Sequence, residues 1–377
     1  MSKLRVGLGT DMIEPALTRG RLDGIGVYTR ALLQHLPAAG CEVLPFSYPP
    51  LRGKRSDLTV GRPMPRSFEM QTALDLATPR FVREKIDADI FHVTDYRVVR
   101  MKCPVVATLH DALPIKHPEW CSPKMRALKN WLQVKAARKA QHIIAPSHFA
   151  VAELVECFGV NEKRISVVHQ GVDAGWMEAP NPLHVTVTLQ MNKLQPGYFL
   201  FVGTLQPRKN VERVLEAYLA LPKEVRRERQ LVIVGSAGWR CEELVAKIEA
   251  ARGQRERVRW LDKLVRPDQL RHVYAGAGVF VFPSLYEGFG IPLVEAFSAG
   301  VPVVTSNTSS LPEVSQGAAL EVDPLSVADI SSAMLSLVED QFLRRRCIDA
   351  GRARAAQLTW AHTAQRTAAV YQSVLSQ

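Results

Sequence analysis

The sequence predicts an α/β protein made of two successive doubly wound parallel sheets. Three observations carry this. Short runs rich in Val, Ile, Leu and Phe alternate with helix-length segments along nearly all of the 377 residues. The alternation breaks once, at the proline-bounded stretch "APNPLHVTVTLQMNKLQPG" (179–197), and then restarts. The composition is that of an ordinary globular chain, 47% hydrophobic and 23% charged, so each half can bury a core of its own.

The first half opens on the strand "RVGLG" (5–9), followed by the helix "VYTRALLQHLPAAG" (27–40), closed by Gly40. "EVLPF" (42–46), "ADIFHVT" (88–94) and "CPVVATLHD" (103–111) read as further strands. "SPKMRALKNWLQVKAARKAQ" (122–141) reads as a long basic helix, "HIIAPS" (142–147) as a strand, "HFAVAELVECFG" (148–159) as a helix and "RISVVHQG" (164–171) as a strand. Between them, "YPPLRGKRSDLTVGRPMPRSF" (48–68) is a loop of a length usually kept for function or motion. In the second half "YFLFVGTL" (198–205), "QLVIVGS" (230–236), "RVRWLD" (257–262), "VFVFPS" (279–284) and "VPVVTSN" (301–307) are strands, with helices at 210–221 and around 240–252. The tail 359–377 is a helix starting at a Thr359 cap. The expected division is a domain over 1–180, a linker over 181–196, a second domain over 197–358 and the terminal helix over 359–377. The halves are Rossmann-like. Ligands of such sheets bind beyond the carboxyl ends of the strands, which makes a cleft between the halves the expected site.

Several function classes are excluded. The six cysteines are scattered with no C-x-x-C pair, which argues against a metal or redox framework and fits a reducing, cytoplasmic location. The start "MSKLRVGLGT" contains no signal-peptide h-region, and no apolar run is long enough for a bilayer. The net charge is +11, and residues 1–180 hold 25 Lys and Arg against 18 Asp and Glu. This basic half would attract phosphates, acidic head groups or nucleic acid; a mildly basic solvated surface reads the same way. "DAD" (Asp87–Asp89) precedes a strand, away from the ligand end, and reads as surface rather than as a metal pair.

Five stretches could carry chemistry. Gly24 and Gly26 precede a helix, where bare amides and the helix dipole favour an anion. A flexible loop leading into a helix gives the same residues. The glycines do not match the dinucleotide fingerprint, which weakens a nicotinamide enzyme. His110 ends "VVATLHD" at the ligand end of a strand, placed to bond a sugar hydroxyl or relay a proton, or else satisfied in the core. In "GTLQPRKN" (203–210), Arg208 and Lys209 stand at a helix start with Asn210 as cap, an arrangement favouring a diphosphate over a merely solvated pair. In "YEGFGIPLVEA" (286–296), Glu287 lies in a turn and Glu295 a turn inside an apolar helix. A carboxylate accepts two adjacent sugar hydroxyls, and a buried one needs a partner. "SNTSSLPEV" (306–314), with Ser309 or Ser310 as cap, is a second loop at the same edge or a plain turn.

Taken in order, "DGIGVYTR", "LHD", "APS", "HQGVD", "GTLQPRKN", the E-x7-E pair Glu287 and Glu295, and "SNTSSLPEV" resemble the retaining GT-B glycosyltransferases of family 4 over essentially the whole chain. "GIGVYT" and "GTLQPRKN" look most like the bacterial mannosyl- and rhamnosyltransferases of O-antigen and exopolysaccharide assembly. The resemblance implies two Rossmann-like domains facing each other across a cleft, with the last helix crossing back to the first. It implies transfer of a hexose, mannose or a deoxyhexose, from a nucleotide diphosphate sugar, GDP-linked by preference, to a saccharide or lipid-linked saccharide. It implies retention of configuration and no metal or other cofactor. Gly24, Gly26, Gly203 and Thr204 would line the donor, Arg208 and Lys209 would neutralise its diphosphate, and His110 would shape the catalytic centre. Glu287 would lie by the transferred sugar with Gly288, Phe289, Gly290 and Ile291 behind it, and Glu295 would hold the ribose. Thr204 departs from the pattern, since many relatives carry arginine there, and more would fall on Arg208 and Lys209. A peripheral contact with the inner membrane face is a further expectation. The competing readings are a GT-B sugar-nucleotide epimerase and a basic nucleic-acid-binding protein. The second lacks aromatic stacking sets and recognition motifs, so no nucleic-acid partner is expected.

Overall fold

A computed structural model describes residues 3–18, 20, 22–50, 55–77, 84–121, 123, 125–262 and 267–377. The first sheet contains β1 (Leu4–Gly9), β2 (Cys41–Ser47), β3 (Arg62–Pro63), β4 (Ile90–Val93), β5 (Val105–Thr108), β6 (His142–Ala145) and β7 (Ile165–Val167). The second contains β8 (Tyr198–Val202), β9 (Leu231–Val234), β10 (Val258–Leu261), β11 (Ala277–Phe282), β12 (Val303–Ser306) and β13 (Leu320–Val322). Every pairing between these strands is parallel. The strand sequences explain this. β4, β5, β8, β9 and β12 are buried at every position, as strands covered by helices on both faces must be.

The orders are β3-β2-β1-β4-β5-β6-β7 and β10-β9-β8-β11-β12-β13. Each sheet grows outward from its first strand in one direction and then restarts on the other side. The switch points fall between β1 and β4 and between β8 and β11, where the flanking loops diverge and leave a crevice.

The chain forms two compact units. The first comprises Met1–Pro118, Pro123–Gln170 and Trp360–Gln377; the second comprises Glu119–Ser122 and Gly171–Thr359. The final helix, Trp360–Leu375, therefore belongs to the first unit. Its Tyr371 hydroxyl lies 2.6 Å from His92 Nδ1, and His92 Nε2 lies 2.8 Å from the Thr108 hydroxyl, which also meets Tyr28. Burial holds His92 at about 3, so this network runs through a neutral imidazole.

Four segments differ from the sequence reading. The stretch expected as a linker over 181–196 contains the helix Pro182–Met191, packed against helix Pro267–Gly276 within the second unit. Its bounding prolines read as a linker, but Asn181 caps the helix by accepting from the Leu183 amide and Pro182 fits the first turn. Thr188 then anchors it to His272 at 2.8 Å. The first helix begins at Gly24, capped by Asp23, and tightens to a 3-10 turn at Leu36–Ala39, where Pro37 enters. The 48–68 loop, whose residues 51–54 lie outside the described ones, is tied down. The buried Glu14 carboxylate accepts from the amides of Thr59, Val60 and Gly61 at 2.6–3.1 Å. Burial alone would raise that carboxyl, and these amides instead hold it below the usual range. In the basic segment 122–141 the helix spans Arg126–Ala137, with residues 122 and 124 outside the described ones.

Candidate active site

The second switch point gathers residues from three loops. After β8 the chain makes a 3-10 turn, Pro207–Lys209; after β11 it makes the turn 283–290 that starts helix Ile291–Ser298; after β12 comes the loop 307–310. Because β8 and β11 are neighbours, Arg208 and Lys209 meet Glu287 although 78 residues of chain separate Lys209 from it. Arg208 NH1 lies 3.0 Å from Glu287 Oε2, and Lys209 Nζ lies 2.5 Å from Oε1. Arg208 also donates to the Tyr286 carbonyl at 2.9 Å, and Lys209 Nζ sits 5.0 Å above the Phe282 ring. Burial would raise the Glu287 carboxyl, but the Lys209 ammonium and the Arg208 guanidinium outweigh it and hold the group down at about 2. The carboxylate is thus ionised at any working pH, and two cations crowd one anion.

The turn is fixed from the 307–310 side. The Ser310 hydroxyl donates to the carbonyls of Glu287 and Phe289 at 2.8 and 2.9 Å, and the Glu287 amide donates to Ser309 Oγ at 3.3 Å. Neither serine caps its own helix by side chain, as the sequence reading supposed. The polar run is legible as a loop, but its clamp on a turn more than twenty residues away is not. Asn210 likewise caps nothing with its side chain. It donates to the carbonyls of Pro283 and Pro324 at 2.9 and 2.7 Å, tying the β8 loop to the β11 turn. Gly290 caps helix Ile291–Ser298 at φ +112°, where a side chain would be strained, and an added Cβ would lie 2.8 Å from Leu311 Cδ2. Phe289 and Ile291 pack into or against the core, so they shape the turn, and Gly288 before them is half-buried.

Glu295 stands one turn into this helix and is only half-buried, yet its carboxyl is raised to about 7. Burial is the cause, offset in part by the Tyr274 hydroxyl, which donates to Oε2 at 3.0 Å. Trp176 lies edge-on to Tyr274 at 5.5 Å. The two carboxylates of "YEGFGIPLVEA" are therefore displaced in opposite directions, a pattern typical of functional sites. Gly203 follows β8 with its amide donating to the Val234 carbonyl, and Thr204 beside it is exposed.

In the first unit His110 is buried. Its Nε2 faces the Thr94 carbonyl at 3.0 Å and must donate, so Nδ1 accepts from Gln170 at 3.0 Å. Burial lowers its pKa and keeps the ring neutral. Both ring nitrogens are therefore engaged within the unit. Gly26 is buried, with its amide taken by Asp23 at 2.8 Å and no room for a Cβ beside the Met12 carbonyl at 2.7 Å. Gly24 is exposed in open space. Asp87 pairs with Arg5 at 2.7 Å, as a surface residue should. Among the described residues no group of three or more His, Cys, Asp or Glu is placed to hold a metal, and no helix is long and apolar enough to cross a membrane.

Solved structures share this fold end to end. Sucrose-phosphate synthase from Thermosynechococcus elongatus superposes with a TM-score of 0.74 at 18% identity, covering 99% of this chain and 100% of that one. Anabaena HepE, solved with UDP and glucose, gives 0.74 at 16% identity over 98% and 100%. WaaG, a glycosyltransferase of lipopolysaccharide biosynthesis, gives 0.68 at 15% identity over 97% and 99%. Two doubly wound sheets in one chain are the fold of the GT-B glycosyltransferases. Sequence comparison narrows the class. Residues 190–354 match "Glycosyl transferases group 1" and residues 22–176 match "Glycosyltransferase Family 4". The chain is 34% identical over 287 residues to O-antigen chain mannosyltransferase B of Escherichia coli, 75% of this chain and 74% of that one. It is 27% identical over 339 residues to the MMP alpha-(1->4)-mannosyltransferase of Mycolicibacterium hassiacum, covering 84% and 77%. This chain belongs to family 4 of the glycosyltransferases, as its ordered motifs imply.

Proposed function

We propose that this glycosyltransferase moves mannose, or a related deoxyhexose, from a GDP-linked donor to a saccharide or lipid-linked saccharide in O-antigen or exopolysaccharide assembly, with retention and without a metal. The observation that carries the reading is the Arg208–Lys209–Glu287 cluster at the switch point, with Glu295 one helical turn beyond Gly290. The named mannosyltransferase relatives support the sugar. In transfer, the bond from the anomeric carbon to the phosphate oxygen breaks and its electron pair passes to the diphosphate. Charge grows on the phosphate oxygens, where preorganised cations lower the barrier most. The acceptor oxygen bonds to the same face, and its proton passes to the departing phosphate. Glu287 already holds both cations, so the diphosphate shares them with it, and the bound nucleotide is released more readily than from two unpaired cations. Glu295, ionised above pH 7, accepts the two ribose hydroxyls. The enzyme works at the cytoplasmic side, in peripheral contact with the inner membrane face, where the excess of Lys and Arg over Asp and Glu in residues 1–180 meets anionic lipid.

A thermal-shift screen against GDP-, UDP- and dTDP-sugars tests the donor. GDP-mannose should give the largest shift; a larger shift from a UDP-sugar removes the GDP assignment. Product analysis by NMR then tests the rest. Epimerised donor formed without acceptor would overturn transfer, and an inverted anomeric centre would overturn retention. His110→Ala should lower turnover more than donor affinity, and Glu295→Ala should do the reverse.

A further inference from the structure

Within the second unit, helix Pro267–Gly276 is gripped from two sides. His272 meets Thr188 of helix Pro182–Met191, and Arg271 donates to the carbonyls of Gly175 and, at 3.1 Å, of Glu178. Arg271 and Tyr274 are three positions apart and so share a helix face. The turn Ala174–Met177 that Arg271 holds therefore sets the Trp176 ring edge-on against Tyr274 at 5.5 Å. Phe280 of β11 closes on the same ring at 5.4 Å. Tyr274 is fully buried, so its hydroxyl must find a partner inside the protein.

Two acceptors are within reach, Glu295 Oε2 at 3.0 Å and the Pro292 carbonyl at 3.3 Å. A phenol has one proton to give. When Glu295 is ionised, that proton goes to Oε2. When Glu295 is protonated, its own O–H donates to the Tyr274 oxygen and the phenol turns to Pro292. Tyr274 is satisfied in both states and stays beside one oxygen of the carboxyl. Among the described residues Oε1 has no hydrogen-bond partner, and Oε2 keeps a second lone pair. The other charged or titratable groups on the surrounding elements are Asp268, Arg271 and His272 of helix Pro267–Gly276, Asp173 before the turn, Glu313 of helix Leu311–Ser315, and the arginines, Cys347 and Asp349 of helix Gln341–Ala355. None of them displaces the Glu295 carboxyl.

We infer that Tyr274 is a positioning residue for the donor nucleotide: its hydroxyl, fixed by Trp176 and Phe280, holds Glu295 Oε2 so that the carboxylate presents its free lone pairs to two adjacent ribose hydroxyls. The inference rests on the reading of Glu295 as the ribose acceptor, and it names the group that lets this carboxylate work near neutral pH. Burial pushes the carboxyl up, to about 7, and the Tyr274 bond is the one interaction that offsets burial. Without that bond the carboxyl stays protonated over more of the neutral range, and a protonated carboxyl has less acceptor capacity to offer two hydroxyls.

Calorimetry of the full chain with GDP and 2′,3′-dideoxy-GDP, and with the matching UDP pair, tests this from pH 6 to pH 9. The proteins are wild type, Tyr274→Phe, Glu295→Gln and the double variant. Tyr274→Phe keeps the ring against Trp176 and Phe280 and removes only the donor. It should weaken the ribonucleotide about tenfold at pH 7, move the midpoint of its affinity to higher pH, and leave the dideoxynucleotide unchanged. Beside Glu295→Gln, the second substitution should change affinity by no more than about twofold, because Tyr274 acts through Glu295. Equal losses for both nucleotides, a loss that does not vary with pH, or losses that add in the double variant would make Tyr274 a packing residue and overturn the inference. Tyr274→3-fluorotyrosine, a stronger donor of nearly the same shape, covers the case of a poorly folded phenylalanine variant. Its midpoint should move to lower pH, and an unmoved midpoint counts against the inference. Wild type that binds the ribo- and dideoxynucleotides equally removes the ribose role of Glu295 and this inference with it. A ribose preference that Tyr274→Phe leaves intact removes the inference alone.

Discussion

Replacing Glu295 with Gln should make the enzyme more stable at alkaline pH and worse at binding its nucleotide. An unfolded glutamate titrates near ~4.3, whereas in the fold burial raises Glu295 to about 7. The raised value means that Glu295 contributes most favourably below the unfolded pKa, where it is neutral in both states. Stability is then lost as pH rises through 7. Each unit of displacement is ~1.4 kcal/mol, so the ionised carboxylate costs the second unit about 4 kcal/mol above pH 7. Glutamine keeps the shape and still accepts from the Tyr274 hydroxyl, but has no charge to desolvate. Unfolding of the wild type and of Glu295→Gln, followed side by side from pH 5 to pH 8, reads the difference directly. The variant's advantage should grow from about 1 kcal/mol at pH 5 to about 4 kcal/mol at pH 8, and a unit of this size should gain roughly 8–16 °C at the upper end. Nucleotide affinity, measured by calorimetry at pH 8, should fall. An advantage that does not change with pH, or a variant less stable at pH 8, would refute burial as the cause.

Glu287→Gln should act with the opposite sign: it takes the Glu287 charge away from the buried Lys209 and the half-buried Arg208, at a cost of about 3–5 kcal/mol at neutral pH. Because the Glu287 carboxyl is depressed to about 2, its contribution is present above ~4.3 and lost as pH falls through that lower value, so the gap between variant and wild type should close on acidification. Gly290→Ala should cost about 1–3 kcal/mol in strain at φ +112°, with a further penalty against Leu311, and should weaken nucleotide binding by moving the turn; unchanged unfolding would count against the stated geometry. Tyr371→Phe should leave His92 Nδ1 buried without its partner, at about 1–3 kcal/mol, and native-state hydrogen exchange should show the loss first in the strands of the first unit.

The strands were legible because parallel, doubly covered strands are apolar at every position, and "YFLFV" or "LVIV" admit few other readings. Arg208, Lys209 and Glu287 were each legible as candidates, from strand ends and glycine turns. That they form one cluster was not, because only the placement of β8 beside β11 joins them across the sequence. The opposite displacement of Glu287 and Glu295 follows from which cations and hydroxyls reach each, which spacing does not encode. His110 follows strand β5 as read, but its two bonds, to the Thr94 carbonyl and the Gln170 side chain, depend on residues 16 and 60 positions away. His92 and Glu14 drew no notice, since a histidine within an apolar strand and a lone glutamate after a strand carry no motif. The segment 181–196 misled through the prolines that bound it, whereas Pro182 starts a helix that the Asn181 cap and the packing of helix Pro267–Gly276 hold in place.

The return of helix Trp360–Leu375 to the first unit has a consequence for the order of synthesis. Domains generally fold as they leave the ribosome, the earliest made being the first to finish. Here the first unit cannot complete its network of Tyr28, Thr108, His92 and Tyr371 until helix Trp360–Leu375, which follows the whole of the second unit, has emerged. The second unit, essentially contiguous over Gly171–Thr359, has all its strands long before then. The half made first is therefore the half finished last, and a nascent chain stopped after Thr359 should show a protease-resistant second unit attached to a first unit that is still cleaved.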